Sequence, residues 1–254
     1  MTLPKTPSFS LKGKKALVVG ASSGIGSACA VALAEHGASV TLAARRKDRL
    51  IRLADKMNKK NWDTNILEMN IANVEETSRL ISGCEQFDIL VNSAGLARHS
   101  KSLDTSVEDF DTVMNINLKG AYFLTQAVAK KLFSMGKTGS LINISSQMGL
   151  VGGQERAVYC SSKHAVEGFT KAMAIEYGPA NIRINTICPT FILTDMTKAT
   201  FDDPEKRAWV ESKIKLGRVG AVQDIMGAVV YLASDASSLV TGSALLIDGG
   251  WTAG

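Results

Sequence analysis

Apolar residues recur along this chain in two rhythms. Short runs rich in Val, Ile, Leu and Ala, at 16–19, 39–44, 65–69, 89–91, 141–144, 183–187 and 244–247, have the length of strands. Between them, over 25–36, 74–84, 118–135, 157–177 and 223–234, apolar residues return every three or four positions, the spacing of one helix face. Strand and helix alternate from end to end, which predicts βαβ units. The strand runs do not alternate apolar with polar. A strand covered on both faces has no polar side, so the pattern predicts an α/β fold: a doubly wound parallel sheet with helices on both faces.

No Pro-, Gly- or Ser-rich stretch and no repeat divides the 254 residues, so a single domain over 1–254 is expected. The least regular segment, 191–216, is long, holds Pro204 and is charged in its middle, which makes it a candidate substrate lid. Residues 1–12, with Pro4 and Pro7, are expected to form a flexible N-terminus.

Composition narrows the function classes. With 45% hydrophobic and 21% charged residues the chain is globular rather than disordered. Lys and Arg exceed Asp and Glu by 29 to 24, a net charge of +5. Aromatic residues are 6% of the chain and no long basic stripe interleaves with them, so no nucleic-acid partner is expected. The densest basic cluster is local: Arg45-Arg46-Lys47, with Arg49 and Arg52 just beyond. Cys29, Cys84, Cys160 and Cys188 form no C-x-x-C pair and no histidine lies at zinc-ligand spacing, so no metal site is expected. Reduced cysteines, no secretory apolar segment in the first ten residues and no apolar run of membrane-spanning length together predict a cytoplasmic protein with no membrane partner.

The first predicted strand runs into Gly20-Ala-Ser-Ser-Gly24-Ile25-Gly26 and then into a helix. Glycines at such a strand–helix turn let backbone approach a ligand, and the exposed N–H groups of the first helical turn attract a pyrophosphate, with Ser22 and Ser23 adding hydroxyls. The first βα turn of a doubly wound chain is where a dinucleotide binds. The second strand chooses the nucleotide. NAD sites place a carboxylate at its end, whereas here it ends in Ala44 followed by Arg45 and Arg46. A 2′-phosphate suits a guanidinium fork, so NADP(H) is expected over NAD(H), with Arg45 as the main contact and Arg46 assisting.

Tyr159 and Lys163, four apart at the start of a long helix, share one face. An ammonium beside a phenol stabilises phenolate and is expected to lower the tyrosine pKa toward that of a working general acid or base. Such a pair arises by chance about 0.3 times in a chain of this kind, so it carries little alone. It gains weight from company: Ser145 and Ser146 end the strand over 141–144, and Asn92 ends the strand over 89–91, at the sheet edge that lines the ligand crevice.

Taken jointly and in order, Gly20 to Gly26, Asp88-Ile-Leu-Val-Asn92-Ser-Ala94-Gly95, Asn117, Ser146, Tyr159-Cys-Ser-Ser-Lys163, Pro189-Thr190 and Asp248-Gly249-Gly250 resemble the short-chain dehydrogenase/reductase family, of the Rossmann type, over nearly the whole chain. The resemblance implies a catalytic set of Asn117, Ser146, Tyr159 and Lys163. Tyr159 would be the general acid in carbonyl reduction, Lys163 would hold the nicotinamide ribose, Ser146 would hydrogen-bond the substrate oxygen and Asn117 would hold a proton-relaying water. It also implies cofactor contacts at Asn70 with Ile71, at Asn92, Ala94 and Gly95, and at Pro189, Ile192 and Thr194. Its usual interval of thirteen residues to Tyr159 favours Ser146 over Ser145, which chemistry alone does not separate. Three positions depart from the pattern: Ser93 and Thr190 replace Asn and Gly, and Asn70 stands where an acidic residue is common.

Substrate contacts are expected from Gln147, Arg156, Ser146 and Tyr159. Gln147 can hold a sugar hydroxyl or pack its own loop. Arg156 can bind a carboxylate or an acyl-carrier phosphate, or be a surface charge. Ser145-Ser-Gln147 with Cys188-Pro-Thr190 is similar to xylulose reductases and other carbonyl reductases for sugars and diketones. The expected activity is NADP(H)-dependent hydride transfer to a ketone or from a secondary alcohol of a small sugar, polyol or diketone. The alternatives are 3-oxoacyl-carrier reduction and, from another class, a non-catalytic NADP-binding sensor. The resemblance further implies a homotetramer built through 118–135 and 157–177.

Overall fold

The computed structural model describes residues 2–195 and 197–254, without the side chain of Ala199. Of the expected flexible N-terminus, Met1 lies outside the described residues, as does Met196 of the expected lid. In chain order the elements are β1 (Lys15–Val19), α1 (Gly24–Glu35), β2 (Ser39–Ala44), α2 (Lys47–Asn58), β3 (Thr64–Glu68), α3 (Val74–Gly83), β4 (Ile89–Asn92), α4 (Val107–Met114), α5 (Ala121–Ser134), β5 (Gly139–Ile144), α6 (Ala157–Tyr177), β6 (Ile182–Pro189), α7 (Lys198–Phe201), α8 (Pro204–Lys213), α9 (Gln223–Ala233) and β7 (Ala244–Ile247).

All seven strands pair in parallel in the order β3-β2-β1-β4-β5-β6-β7. The order reverses between β1 and β4, so a crevice opens at the C-terminal ends of those strands. Successive residues of β1 face opposite layers. Ala16 and Val18 pack with Leu33 of α1, Leu50 of α2 and Val229 of α9, whereas Leu17 and Val19 pack with Ile81 of α3, Leu124 and Val128 of α5 and Val166 of α6. Two apolar layers on one strand account for the unbroken apolar runs.

Two departures have physical causes. The helix expected over 118–135 begins earlier: α4, a π-helical turn at Asn115–Gly120 and α5 run on without a break. The wider π turn changes the face that Asn117 presents, and α4 escapes sequence reading because it leaves Val107 and Phe110 exposed. The 191–216 connection is not structureless, since it holds α7 and α8. Asp203 caps α8 by accepting from the N–H of Glu205 and of Lys206 at 3.0 and 3.2 Å, and Pro204 occupies the first turn. This segment packs by aromatic contacts, with Phe191 stacked 5.7 Å from the C-terminal Trp251 and Trp209 edge-on to the same ring. Residues 2–10 form no regular element and are exposed, and the chain is first anchored at buried Leu11. The described cysteines are unpaired, and no described helix is long and apolar enough to cross a membrane.

Candidate active site

The parallel register sets Val19 beside Asn92 on one side and Ala43 on the other, so the loop after β1 leaves the sheet between β2 and β4. The N–H groups of Gly20 and Ala21 both donate to the Ala43 carbonyl, at 2.8 and 3.2 Å. Gly20 has φ +83°, and a Cβ there would sit 2.7 Å from the Ser93 main chain. A Cβ on Gly26 would sit 2.3 Å from the Gly20 carbonyl oxygen, so that glycine is what lets α1 close against the strand end. Gly26→Ala is therefore expected to cost about 1–3 kcal/mol of stability, several degrees of Tm, and to abolish dinucleotide binding. Thermal unfolding and a fluorescence titration check both.

The start of α1 faces this opening. Ser23 precedes the helix without a side-chain cap, and no acidic residue lies in the first turn, so its N–H groups and dipole are left to an anion. The Arg46 guanidinium crosses the loop and donates to the hydroxyls of Ser22 and Ser23 at 2.8 and 3.2 Å. A continuous cavity runs from here to Tyr159. Of the residues expected to bind cofactor, Gly20, Ser22, Ser23, Gly24, Ile25, Arg45, Arg46, Asn70, Ile71, Ala94, Gly95, Tyr159, Lys163 and Thr194 line it. Gly26, Asn92, Pro189 and Ile192 do not. Asn92 is buried, donates to Asn143 Oδ1 at 3.1 Å and accepts from the Ala94 N–H at 3.2 Å, so it shapes the turn that lines the cavity. Pro189 and Ile192 are turned into the core. Asn70 lines the cavity while its Oδ1 accepts from the Ala72 N–H at 3.2 Å.

At the other end of the cavity α6 brings Tyr159 and Lys163 against the end of β5. Lys163 is buried, and its Nζ donates to the Ile144 carbonyl at 2.9 Å and lies 5.7 Å from the centre of the Tyr159 ring. Burial pulls its pKa down to about 8. The expected lowering of the Tyr159 pKa is corrected: burial pushes the phenol up, and the Ser146 hydroxyl facing it and the Arg156 charge offset this only in part. Lys163 spends its ammonium on the strand-end carbonyl, at a distance from the phenol that leaves desolvation dominant.

The two adjacent serines separate by direction. Ser146 faces Tyr159 and accepts from the Met148 N–H at 3.1 Å. Ser145 Oγ lies on the Gly149 and Cys188 side. Asn117 is bound at both ends of its amide. Its Oδ1 accepts from the Leu96 N–H at 2.9 Å, and its Nδ2 donates to the Leu96 carbonyl at 2.8 Å and the Ser162 hydroxyl at 3.1 Å. The side chain is thus a bracket holding the 93–96 turn. Gln147 is buried with neither amide end partnered among the described residues.

Beyond Tyr159, Arg156 lies with its guanidinium 5.3 Å above the Phe191 ring, and Nη1 donates to the His99 imidazole. The His99 ring stands edge-on to Tyr159 at 6.2 Å. Partial burial and the Arg156 charge hold His99 down to about 4, so it is neutral and able to accept.

Comparison with known proteins agrees with this geometry. A family model described as enoyl-(acyl carrier protein) reductase matches residues 20–252, and D-erythrulose reductase of Gallus gallus is 35% identical over 245 residues, covering 96% of this chain and 98% of that one. The chain belongs to the short-chain dehydrogenase/reductase family. It is an oxidoreductase of the class acting on CH–OH groups. A 3-oxoacyl-[acyl-carrier-protein] reductase of Rickettsia felis is 38% identical over 94% of this chain and 97% of that one. A crystal structure of a putative 2-deoxy-D-gluconate 3-dehydrogenase from Agrobacterium tumefaciens with bound NADP is 40% identical and superposes with a TM-score of 0.92 over 98% of this chain and all of that one.

The family's dinucleotide fits the residues of this dehydrogenase/reductase: an uncapped helix start, a close-packed glycine turn and two arginines at the end of β2 are a donor set for pyrophosphate and ribose phosphate. Two features of the site escaped sequence reading. His99 is one of three scattered histidines and carries no local signal. Glu167 had a signal, since it lies four residues after Lys163; it is buried and accepts from the Thr186 hydroxyl at 2.8 Å and the Cys188 thiol at 3.3 Å.

Proposed function

We propose that this chain is one catalytic domain that moves a hydride between NADP(H) and a ketone or secondary alcohol of a small sugar, polyol or diketone. The observation that carries this reading is that Tyr159, faced by the Ser146 hydroxyl and beside the buried Lys163, lines the same cavity as the glycine turn after β1. The nicotinamide, when bound, supplies or accepts the hydride. Ser146 donates a hydrogen bond to the substrate oxygen and fixes it at Tyr159. In reduction Tyr159 delivers its proton to that oxygen; in oxidation it takes the hydroxyl proton. The raised phenol pKa keeps Tyr159 protonated at neutral pH, the form needed to reduce a carbonyl. Lys163 holds the nicotinamide ribose, and its charge supports the phenolate left after proton transfer. Asn117 holds the 93–96 turn, which lines the cavity, in place. Gln147, buried with an unpartnered amide, supplies a donor and an acceptor for a substrate hydroxyl once its loop adjusts, which supports a hydroxylated substrate.

The sugar and ketone reading agrees with the D-erythrulose reductase relative. The second reading, reduction of 3-oxoacyl thioesters, is favoured by the Rickettsia felis relative. A screen of NADPH oxidation over ketoses, diketones and 3-oxoacyl thioesters separates them: turnover of ketoses or diketones is expected, and turnover of thioesters alone overturns the first reading. We also propose a homotetramer built on α5 and α6, where Phe133 and Ile175 stay exposed on the isolated chain. Light scattering is expected to give four times the chain mass, and a monomer rejects it.

A further inference from the structure

Arg156 is an arginine with an unmet demand. It immediately precedes α6, three residues before Tyr159, which lies in the first turn of that helix. Three segments distant in sequence meet there: His99 from the stretch after β4, Arg156 with Tyr159 at the start of α6, and Phe191 from the stretch after β6. The guanidinium is fixed from two directions, by Phe191 against its flat face and by His99 at Nη1. Nε and Nη2, the edge that forms a parallel fork for a carboxylate, have no acceptor among the described residues.

Arg156 is half-buried and has no carboxylate within ion-pair distance among the described residues, unlike Arg52, Arg207 and Arg218, which each pair with a carboxylate on their own stretch of chain. A cation drawn partly out of water without a directly paired carboxylate is costly, and an anion that arrives with the substrate reduces that cost. The local charge count sets its valence. His99 is neutral and the Glu155 carboxylate acts on both His99 and Arg156, so the single guanidinium beside Tyr159 matches a monoanion better than a phosphate dianion.

We propose that the substrate is a hydroxylated carboxylic acid of the aldonate class, with its carboxylate on the free edge of Arg156 and its reacting carbon at Ser146 and Tyr159. The proposal rests on the hydride-transfer reading above and narrows it. Within it Phe191 and His99 are positioning residues that hold the guanidinium in one orientation, so that the acid end is bound at a fixed distance from the reacting end.

The test uses the full chain with C4–C6 aldonates, each beside the neutral polyol of the same length; D-gluconate and D-glucitol are one such pair, differing in a carboxylate for a CH2OH. NADP-linked oxidation is expected to favour at least one aldonate over its polyol by more than about tenfold in kcat/KM, and Arg156→Gln is expected to reduce that ratio by about 10–100-fold, chiefly through KM. Arg156→Lys, which keeps the charge without the fork, is expected to fall between. Calorimetry reads the same point without turnover: the preferred aldonate binds the wild type measurably more tightly than Arg156→Gln, and an unchanged NADPH affinity shows that the variant is folded. Neutral polyols or ketones turned over better than every aldonate, or an acid-to-polyol ratio unaltered in Arg156→Gln, overturn this proposal and leave the hydride-transfer reading standing. No NADP-linked turnover of any acid, polyol or ketone overturns that reading. Aldonate binding that persists in calorimetry and depends on Arg156 still upholds the acid site, and its absence removes both.

Discussion

Tyr159→Phe is expected to keep NADP(H) affinity within about threefold of the wild type and to lose about 10²–10⁴-fold in kcat, the range that a positioned general acid contributes. The substitution removes one oxygen and leaves the ring packed against His99 and beneath the Lys163 ammonium. The cavity wall is therefore retained while the proton is lost. Ser146 keeps its hydrogen bond from the Met148 N–H, so the substrate oxygen still finds a donor, but none that can give up a proton at neutral pH. Because burial raises the Tyr159 pKa, reduction by the wild type is expected to hold up at neutral pH, where the phenol is protonated, and oxidation to quicken as the pH rises toward the phenol's range. Steady-state kinetics in both directions with a parallel fluorescence titration of NADPH decides the matter. Near-wild-type kcat in Tyr159→Phe refutes the assignment, and lost NADPH affinity shows that the ring, not the proton, was what mattered.

Arg45→Asp is expected to move cofactor choice the furthest. The wild type should prefer NADPH, and the variant should lower the ratio of kcat/KM for NADPH to that for NADH by about 100-fold or more. A 2′-phosphate carries about −1.5 to −2 charges, and a hydrogen bond to a charged group contributes about 1.5–3 kcal/mol, or about 10–150-fold. A carboxylate in the same place adds repulsion for the phosphate and an acceptor for the ribose hydroxyls of NAD. The surroundings leave Arg45 free for this task. Asp48 is engaged by Arg52, and Glu68 lies 3.8 Å from Lys47, so neither carboxylate pairs with Arg45. Arg46 has a different part, because it spans Ser22 and Ser23 and so holds the phosphate loop. Its loss is expected to weaken both cofactors together. A wild type that prefers NADH overturns the NADP(H) assignment.

Much of this molecule was legible in one dimension because the features are local. A strand buried on both faces must be apolar at nearly every position, so the inner strands showed as runs, while the edge strand β3, with Asn65 and Glu68 exposed, showed only through Ile66 and Leu67, and ends shifted by a residue or two, as at Gly139 and Thr64. The glycine turn was legible because a positive φ at Gly20 and a backbone approach at Gly26 leave no other residue type at those places. Tyr159 and Lys163 were legible because one helix carries both. The candidate lid was located but misjudged in texture: the Asp203-Pro204 start signal was present, while the aromatic contacts among Phe191, Trp209 and Trp251 that support it join segments far apart in sequence.

What the sequence alone determined, then, is the doubly wound scaffold, the glycine turn after β1 and the placing of Tyr159 and Lys163 on one helix face, each dictated by steric or periodic demands acting within a few residues. The tertiary structure decided what depends on direction and on burial. It turned Ser146 rather than Ser145 toward the phenol, engaged both ends of Asn117 with Leu96 through a π turn, and raised the Tyr159 pKa where proximity to Lys163 had argued for lowering it. It also brought His99, Arg156 and Phe191 together beside Tyr159. Side-chain direction, dielectric surroundings and contacts between distant segments arise only when the layers close on one another, and no spacing along the chain encodes them.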